Sequence, residues 1–106
     1  MKIGCLEIKL GAPWVHSLKE KRMIVRSLVA KIRNTFNVSV HEIDDHDVHQ
    51  QIVLGITTGS NSTAQLQSVL DQVVNFIESN YEVSIDKIQI DILLCRIKVE
   101  FWHLKL

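Results

Sequence analysis

Hydrophobic residues along this chain follow two different spacings, and together they predict six elements. Alternation of apolar and polar positions, typical of strands with one buried face, predicts strands over about residues 2–10, 37–43, 50–58 and 83–94. Apolar residues that recur every three or four positions predict helices after Ser17 and from about 62 to 79. The predicted order is strand, helix, strand, strand, helix, strand.

The first helix has a sharply defined start. Ser17 is followed three residues later by Glu20, which is the spacing of a capping box. Asn34 and Asn37 are candidate stop residues. The apolar positions between these signals fall on one helical face and comprise Leu18, Ile24, Val25, Leu28, Val29, Ile32 and Phe36.

The element order predicts an α+β fold, a ferredoxin-like βαββαβ sandwich. Right-handed crossovers then give a four-stranded antiparallel sheet with two helices on one face and an open face on the other. At 106 residues the chain fits one domain, with its core in about residues 1–94. Polar and small residues are expected on the open face, which would carry Ser39, His41, Ile43, Val53, Gly55 and Thr57.

Residues 95–106 form a C-terminal extension with its own pattern. Apolar residues alternate at 97, 99 and 101 and then shift phase to 102, 104 and 106. A one-residue shift moves side chains to the opposite face, so we expect a bulge or bend after Leu94 or near Phe101. The extension either returns as a local fifth strand or crosses to a second copy of the chain.

Overall composition excludes several classes of protein. Twelve basic and twelve acidic residues give no net charge and hence no whole-molecule attraction to nucleic acid or lipid. The N-terminal segment is interrupted by Glu7 and Lys9, so it lacks the apolar core of a signal peptide. Cys5 and Cys95 are too few for a disulfide framework. We therefore expect a cytoplasmic protein with reduced thiols.

Positive charge is concentrated on the first predicted helix. Six of the twelve Lys and Arg residues lie between Lys19 and Arg33. Four of them fall within about 60° of one another on a helical projection, whereas Lys31 points elsewhere. We call these four the basic stripe: Lys19, Arg22, Arg26 and Arg33. The stripe either contacts phosphates or is a solvated face neutralised by acids such as Asp71 and Glu78 on the second helix.

The densest group of metal-ligand residue types lies between positions 41 and 49. It comprises His41, Glu42, Asp44, Asp45, His46, Asp47 and His49. The two closely spaced histidines, His46 and His49, lie in a loop rather than on a helix face, and no cysteine pair accompanies them. The acids also lack the alternating pattern of a calcium loop. We predict a solvated turn with no metal or other cofactor.

No catalytic constellation is present in the sequence. The four glycines are dispersed and form no phosphate-binding loop. The two predicted central strands carry no aromatic residues for stacking bases, and residues 11–16 contain no Arg of the kind expected in an acylphosphatase-like loop. Ser17, although it follows His16, is explained by helix capping. We predict no enzymatic activity and no small-molecule substrate.

One segment is similar to a known family. The run from His16 to Arg22, with Ser-Leu-Lys-Glu-Lys-Arg after the first strand, closely resembles the YlxP-like family of small uncharacterised bacterial proteins. The resemblance continues through residues 36–40, 42–47, 55 and 60–61 and departs at Trp14, the extra histidines and the tail. It implies a ferredoxin-like fold and no known activity. Family genes often lie beside those for transcription termination, translation initiation and ribosome maturation, which implies a link to RNA.

Two functional hypotheses follow. The first is a non-enzymatic module that meets RNA or a ribosomal particle through Lys19, Arg22, Arg26 and Arg33, by phosphate contact without base readout. The alternative is a homo-oligomeric protein-interaction or assembly domain without nucleic acid binding, associating through the sheet or the C-terminal extension. The sequence leaves open the partner, the oligomer size, and the roles of Trp14 and Trp102.

Overall fold

The computed structural model describes residues 1–96. Its elements are β1 (Lys2–Gly11), α1 (Leu18–Thr35), β2 (Ser39–Asp44), β3 (Gln51–Ser60), α2 (Thr63–Asn80) and β4 (Ser84–Leu94). The predicted order is confirmed, and the observed boundaries lie close to the predicted ones. The expected fifth strand or exchanged segment, with its bend near Phe101, lies outside the described residues.

The strands form one antiparallel sheet in the order β2-β3-β1-β4. Leu6 on β1 lies opposite Ile56 on β3 and Ile90 on β4, so the alternate residues of neighbouring strands share one face. Both helices pack on that face, which confirms the ferredoxin-like α+β sandwich. The sheet order places β1 and β3 at its centre and β2 and β4 at its edges.

The core lies between the helices and the central strands. Its fully buried members include Ile8, Leu10, Leu28, Ile32, Ile52, Leu54, Ile56, Leu70, Val73 and Ile77. Burial of such a side chain contributes about 1.5–3 kcal/mol relative to exposure. Phe36 and Phe76 meet edge to face, with ring centroids 5.7 Å apart. Neither helix carries an apolar stretch long enough to span a lipid bilayer.

Both helices begin at a serine cap. The Ser17 hydroxyl accepts a hydrogen bond from the Glu20 backbone N–H at 3.1 Å, which confirms the predicted start of α1. In return, the backbone N–H of His16, one residue before the cap, donates to Oε2 of Glu20 at 3.3 Å. Ser62 caps α2 in the same way by accepting from the N–H of Gln65. These caps satisfy backbone donors that a helix start leaves without partners.

One charged side chain is buried in the core layer. Lys21 is 1% exposed, and its Nζ donates a hydrogen bond to the carbonyl of Asp45. The same Nζ lies 3.1 Å from Oε2 of Glu42, whose side chain is 18% exposed. This contact is an ion pair without a hydrogen bond, since Oε2 accepts no hydrogen bond from residues 1–96. Lys21 therefore links α1 to the edge strand β2 and to the turn that follows it.

The turn after β2 is shaped to receive this lysine. Asp45 has φ of 54°, a left-handed conformation that Asp tolerates better than most residues. Its N–H donates to Oδ1 of Asp44 at 2.8 Å, and its carbonyl accepts from the N–H of Val48 as well as from Lys21. The left-handed conformation of Asp45 thus directs its carbonyl oxygen toward the Lys21 ammonium, which donates a hydrogen bond to it.

A bulge in β2 directs one apolar side chain onto the open face of the sheet. The pairing of β2 with β3 shifts register between Glu42 and Asp44, which leaves Ile43 as the extra residue. Ile43 then covers Gly55, where an added Cβ would lie 2.8 Å from Cγ2 of Ile43. Gly55 is therefore required by this side-chain contact.

We predict that Lys21→Met lowers the free energy of unfolding by about 3 kcal/mol, because it leaves the carboxylate of Glu42 partly buried without its cation. The double variant Lys21→Met/Glu42→Gln should recover part of this loss, since it removes the second charge. Urea unfolding measures both values. Lys19→Met, on the exposed side of α1, is the matched control and should stay within about 0.5 kcal/mol of the wild type. An equally small effect at Lys21 would contradict the structural role of the ion pair.

We predict that Gly55→Ala lowers stability by about 1 kcal/mol relative to Gly59→Ala, because only the first change forces Ile43 to move. At Gly59 the nearest atom to an added Cβ is 3.6 Å away, which is ordinary contact. Thermal unfolding of the two variants measures the difference. Equal melting temperatures would show that Ile43 does not pack on Gly55.

Candidate nucleic-acid interface

The position of the basic stripe follows from the contacts of the two flanks of α1. On one flank, the Ser27 hydroxyl lies 3.2 Å from the Tyr81 hydroxyl, and the ammonium of Lys31 lies 5.6 Å from the Tyr81 ring centroid. On the other flank, Arg33 donates to the carbonyl of Val40 in β2 at 2.8 Å. The first flank thus faces the end of α2, and the stripe lies on the flank beside the edge strand β2.

Three members of the stripe are free. Lys19, Arg22 and Arg26 are exposed. Within residues 1–96 their side chains make no hydrogen bond and no ion pair. Their cationic groups are consequently available to an anion approaching the β2 side of the helix.

Arg33 differs from the other three. Its guanidinium donates one hydrogen bond to the Val40 carbonyl, which holds the side chain against β2. A guanidinium has five N–H donors, so this bond leaves most of them available while fixing the group in place. Arg33 is therefore an oriented end of the stripe, whereas Lys19, Arg22 and Arg26 extend into solvent.

The acids of α2 do not meet the stripe. Asp71 instead accepts a hydrogen bond from Gln67 on its own helix at 3.0 Å. Among the described residues the ion pairs join Lys9 to Asp45 at 4.0 Å, Lys21 to Glu42, and His46 to Glu42 at 3.9 Å if the imidazole is protonated. None of these contacts neutralises Lys19, Arg22 or Arg26.

Lys21 has partners that the sequence does not reveal. Its place in the first turn of the helix indicates a structural role, and the structure buries it there against Glu42 and Asp45. Position 21 falls four, seven and eleven residues before Val25, Leu28 and Ile32, so it belongs to the buried face by spacing alone. The acid-rich segment after β2 supplies its partners. The sequence signal for this burial was a lysine at the helical spacing of the buried apolar residues.

The His, Asp and Glu side chains between positions 41 and 49 do not come together into a metal site within residues 1–96. His41 Nε2 lies 3.3 Å from the Ser39 hydroxyl, and His46 Nε2 lies 3.1 Å from the Glu42 carbonyl oxygen. Across residues 1–96, no three His, Cys, Asp or Glu side chains come together as a metal site requires. The contacts of this loop instead hold the turn that partners Lys21.

The two thiols do not meet. Cys5 is half-buried on β1 and lies opposite Asp91 on the neighbouring strand β4. Cys95 is exposed, and its backbone N–H donates to the carbonyl of Met1 at 3.0 Å. Trp14 is held by a hydrogen bond from its indole N–H to the carbonyl of Glu82, at the end of α2.

Comparison with known proteins establishes the family. The family described as "Protein of unknown function (DUF503)" matches residues 3–90. The uncharacterized protein YlxP of Bacillus subtilis (strain 168) is 39% identical over 67 residues, which cover 63% of this chain and 73% of YlxP. A de novo designed protein with a ferredoxin fold superposes with a TM-score of 0.58 at 15% identity, over 94% of this chain and 89% of its own. That likeness shows the fold alone. The chain therefore belongs to the DUF503 family of unknown function and is similar to YlxP.

Proposed function

We propose that this protein is a non-enzymatic module that binds RNA, or an RNA-containing particle such as the ribosome, through the basic stripe of α1. The observation that carries the proposal is the state of Lys19, Arg22 and Arg26. They are exposed on one flank of a helix and have no carboxylate partner among residues 1–96. The part of this formally neutral protein that the structure describes thus carries an unneutralised cationic surface on α1.

The stripe is slightly unfavourable for the isolated protein. Like charges three or four residues apart on a helix cost a few tenths of a kcal/mol per pair, and Lys19, Arg22 and Arg26 have these spacings. Phosphate groups would relieve that repulsion and release the counterions condensed on the nucleic acid. Polyanion binding therefore satisfies the charge that the fold leaves without partners.

The geometry favours backbone contact over base recognition. With a rise of about 1.5 Å per residue, the stripe from Lys19 to Arg33 extends about 21 Å. The described aromatic side chains lie elsewhere, with Trp14 bound at Glu82 and Tyr81 on the opposite flank beside Lys31. Since base stacking requires aromatic surfaces, we infer sequence-independent binding that weakens with salt.

A specific observation favours a second candidate, the assembly domain. Met23 is 63% exposed on α1, four residues after Lys19 and three before Arg26, so its side chain borders the basic stripe. Met and Arg are both enriched in protein interfaces. A thioether carries no charge and therefore contributes nothing to the binding of phosphate. An acidic protein surface with an apolar centre would match this patch.

We predict that Arg22→Glu/Arg26→Glu abolishes RNA binding and leaves the fold intact, because neither side chain has a structural partner in residues 1–96. Fluorescence anisotropy with a structured RNA, over a series of salt concentrations, measures the RNA affinity of each variant. The wild-type plot of log affinity against log salt should have a slope of about −3, and neutralising Arg22 and Arg26 with Ala should reduce its magnitude by about 2.

The matched control is Lys31→Glu/Arg96→Glu, which makes the same change in net charge away from the stripe. It should retain RNA affinity, with circular dichroism reporting the fold of every variant. Unchanged affinity of Arg22→Glu/Arg26→Glu at low salt would refute RNA binding by the stripe.

We predict that Met23→Gln leaves RNA affinity within about twofold of the wild type, because phosphate contact does not use this side chain. A pull-down after nuclease treatment tests the second candidate in parallel. Protein that stays bound after nuclease and is lost with Met23→Gln would favour the assembly domain over the RNA-binding module.

A further inference from the structure

The two edges of the sheet differ in how they are protected. β2, at one edge, has six residues and a bulge, and the guanidinium of Arg33 covers the carbonyl of Val40 with a hydrogen bond at 2.8 Å. β4, at the other edge, has eleven residues, and within residues 1–96 no strand pairs with its outer side. Edge strands are commonly shortened, bent or covered, because their free backbone groups pair readily with another strand. Most of β4 lacks such protection.

The backbone groups on the free edge of β4 follow from its pairing with β1. The N–H of Cys95 donates to the carbonyl of Met1 at 3.0 Å, so residue 95 directs its backbone groups toward β1. In an antiparallel ladder such residues alternate with residues whose N–H and C=O point away. The pairing is regular between Leu94 and Lys87, and it shifts register beyond Lys87. The outward backbone groups of this regular part therefore belong to Ile88, Ile90, Ile92 and Leu94.

The side chains of these residues form an apolar row that the helices cover only in part. Ile88 lies opposite Ile8 of β1, which is fully buried under the helix layer. Ile88 itself is nevertheless 44% exposed, and Leu94 is 49% exposed. The row thus extends beyond the helices, and a further strand beside β4 would bury it.

We propose that β4 pairs antiparallel with β4 of a second copy of this chain, around a two-fold axis at Gln89. A hydrogen-bonded ladder needs outward-pointing residues opposite one another, which requires the axis to pass through a residue rather than between two. With the axis at Gln89, Ile88 lies opposite the partner's Ile90, and Ile90 lies opposite the partner's Ile88. These two pairs make about four backbone hydrogen bonds and join the two sheets into one.

Charge selects this axis among the possible ones. With the axis at Gln89, Lys87 lies opposite the partner's Asp91, and the contact occurs twice because the interface is isologous. Residues of this kind, whose backbone groups point away from each other, have Cα atoms only about 4.5 Å apart, so the two side chains meet. Moving the axis by one residue in either direction would place Lys87 opposite the partner's Gln89 or the partner's Leu93, and the charge pair would be lost.

Both members of this pair lack an ion-pair partner within residues 1–96. Lys87 lies opposite Lys9 on β1, which repels it, and although it borders a hollow with Asp44 and Asp45 it is not ion-paired to either of them. The partner's Asp91 would relieve this repulsion from the free side of the strand. The argument concerns one pair at the edge and does not depend on the net charge of the open face.

A second copy is thus the occupant whose side chains match β4 at both the apolar and the charged positions. β4 lies at the opposite edge of the sheet from the basic stripe, which is beside β2. The proposal therefore does not rest on RNA binding, and the stripe would remain exposed in the dimer.

The first test is an exchange of charge in the full chain. Sedimentation equilibrium from about 1 to 100 µM should give the wild type a mass approaching twice 12.1 kDa. Lys87→Asp and Asp91→Lys should each weaken dimerisation at least about tenfold, because each places like charges opposite one another twice per dimer. The double variant Lys87→Asp/Asp91→Lys should restore an affinity close to that of the wild type.

The second test measures the register. Gln89→Cys places two thiols across the axis, within the Cα separation of about 4.4–6.8 Å that a disulfide requires, so mild oxidation should produce a covalent dimer on a non-reducing gel. Leu93→Cys is the matched control on the same face of β4. Its two copies would lie roughly 26 Å apart and should not exceed the wild type, whose Cys5 and Cys95 set the background.

Arg22→Asp controls for a change of charge on α1 and should leave dimerisation unchanged. Circular dichroism establishes that each variant is folded. A wild type that stays monomeric at the highest concentration would overturn the proposal, as it would if the chain's own residues 97–106 occupied the edge. A double variant no tighter than the single variants would also overturn it, and so would equal crosslinking of Gln89→Cys and Leu93→Cys.

Discussion

The ion pair between Lys21 and Glu42 ties the helix layer to the edge of the sheet. It joins the first turn of α1 to an edge strand that is only six residues long. A buried ammonium must be matched by acceptors, and here a carboxylate and the reversed carbonyl of Asp45 supply them. Hydrophobic burial holds α1 on the sheet, but this polar contact sets where its N-terminal half lies relative to β2. That placement decides which flank of the helix faces solvent.

The basic residues of one helix therefore have three different roles. Lys21 enters the core layer, while Arg33 and Lys31 are held by the Val40 carbonyl and the Tyr81 ring. Only the remaining side chains, Lys19, Arg22 and Arg26, extend freely from the described structure. Helical spacing separates these roles, because positions 21 and 22 point in directions about 100° apart. A count of lysines and arginines on α1 therefore overstates the positive charge that a partner can reach. In the described structure that charge is confined to a short stripe on one flank of the helix.

The element order, the Ser17 cap and the ferredoxin-like fold could all be predicted from the amino-acid sequence, because hydrophobic periodicity and helix caps are local signals. The sequence also placed Lys19, Arg22 and Arg26 on one flank, since helical geometry converts spacing into direction. Spacing also puts Lys21 in phase with the buried residues, but its partners came from the three-dimensional fold. The left-handed Asp45 turns a carbonyl toward Lys21, and strand pairing brings Val40 to Arg33 and Ile43 to Gly55. Local sequence patterns do not encode these contacts, because their energy appears only when both partners are already in place.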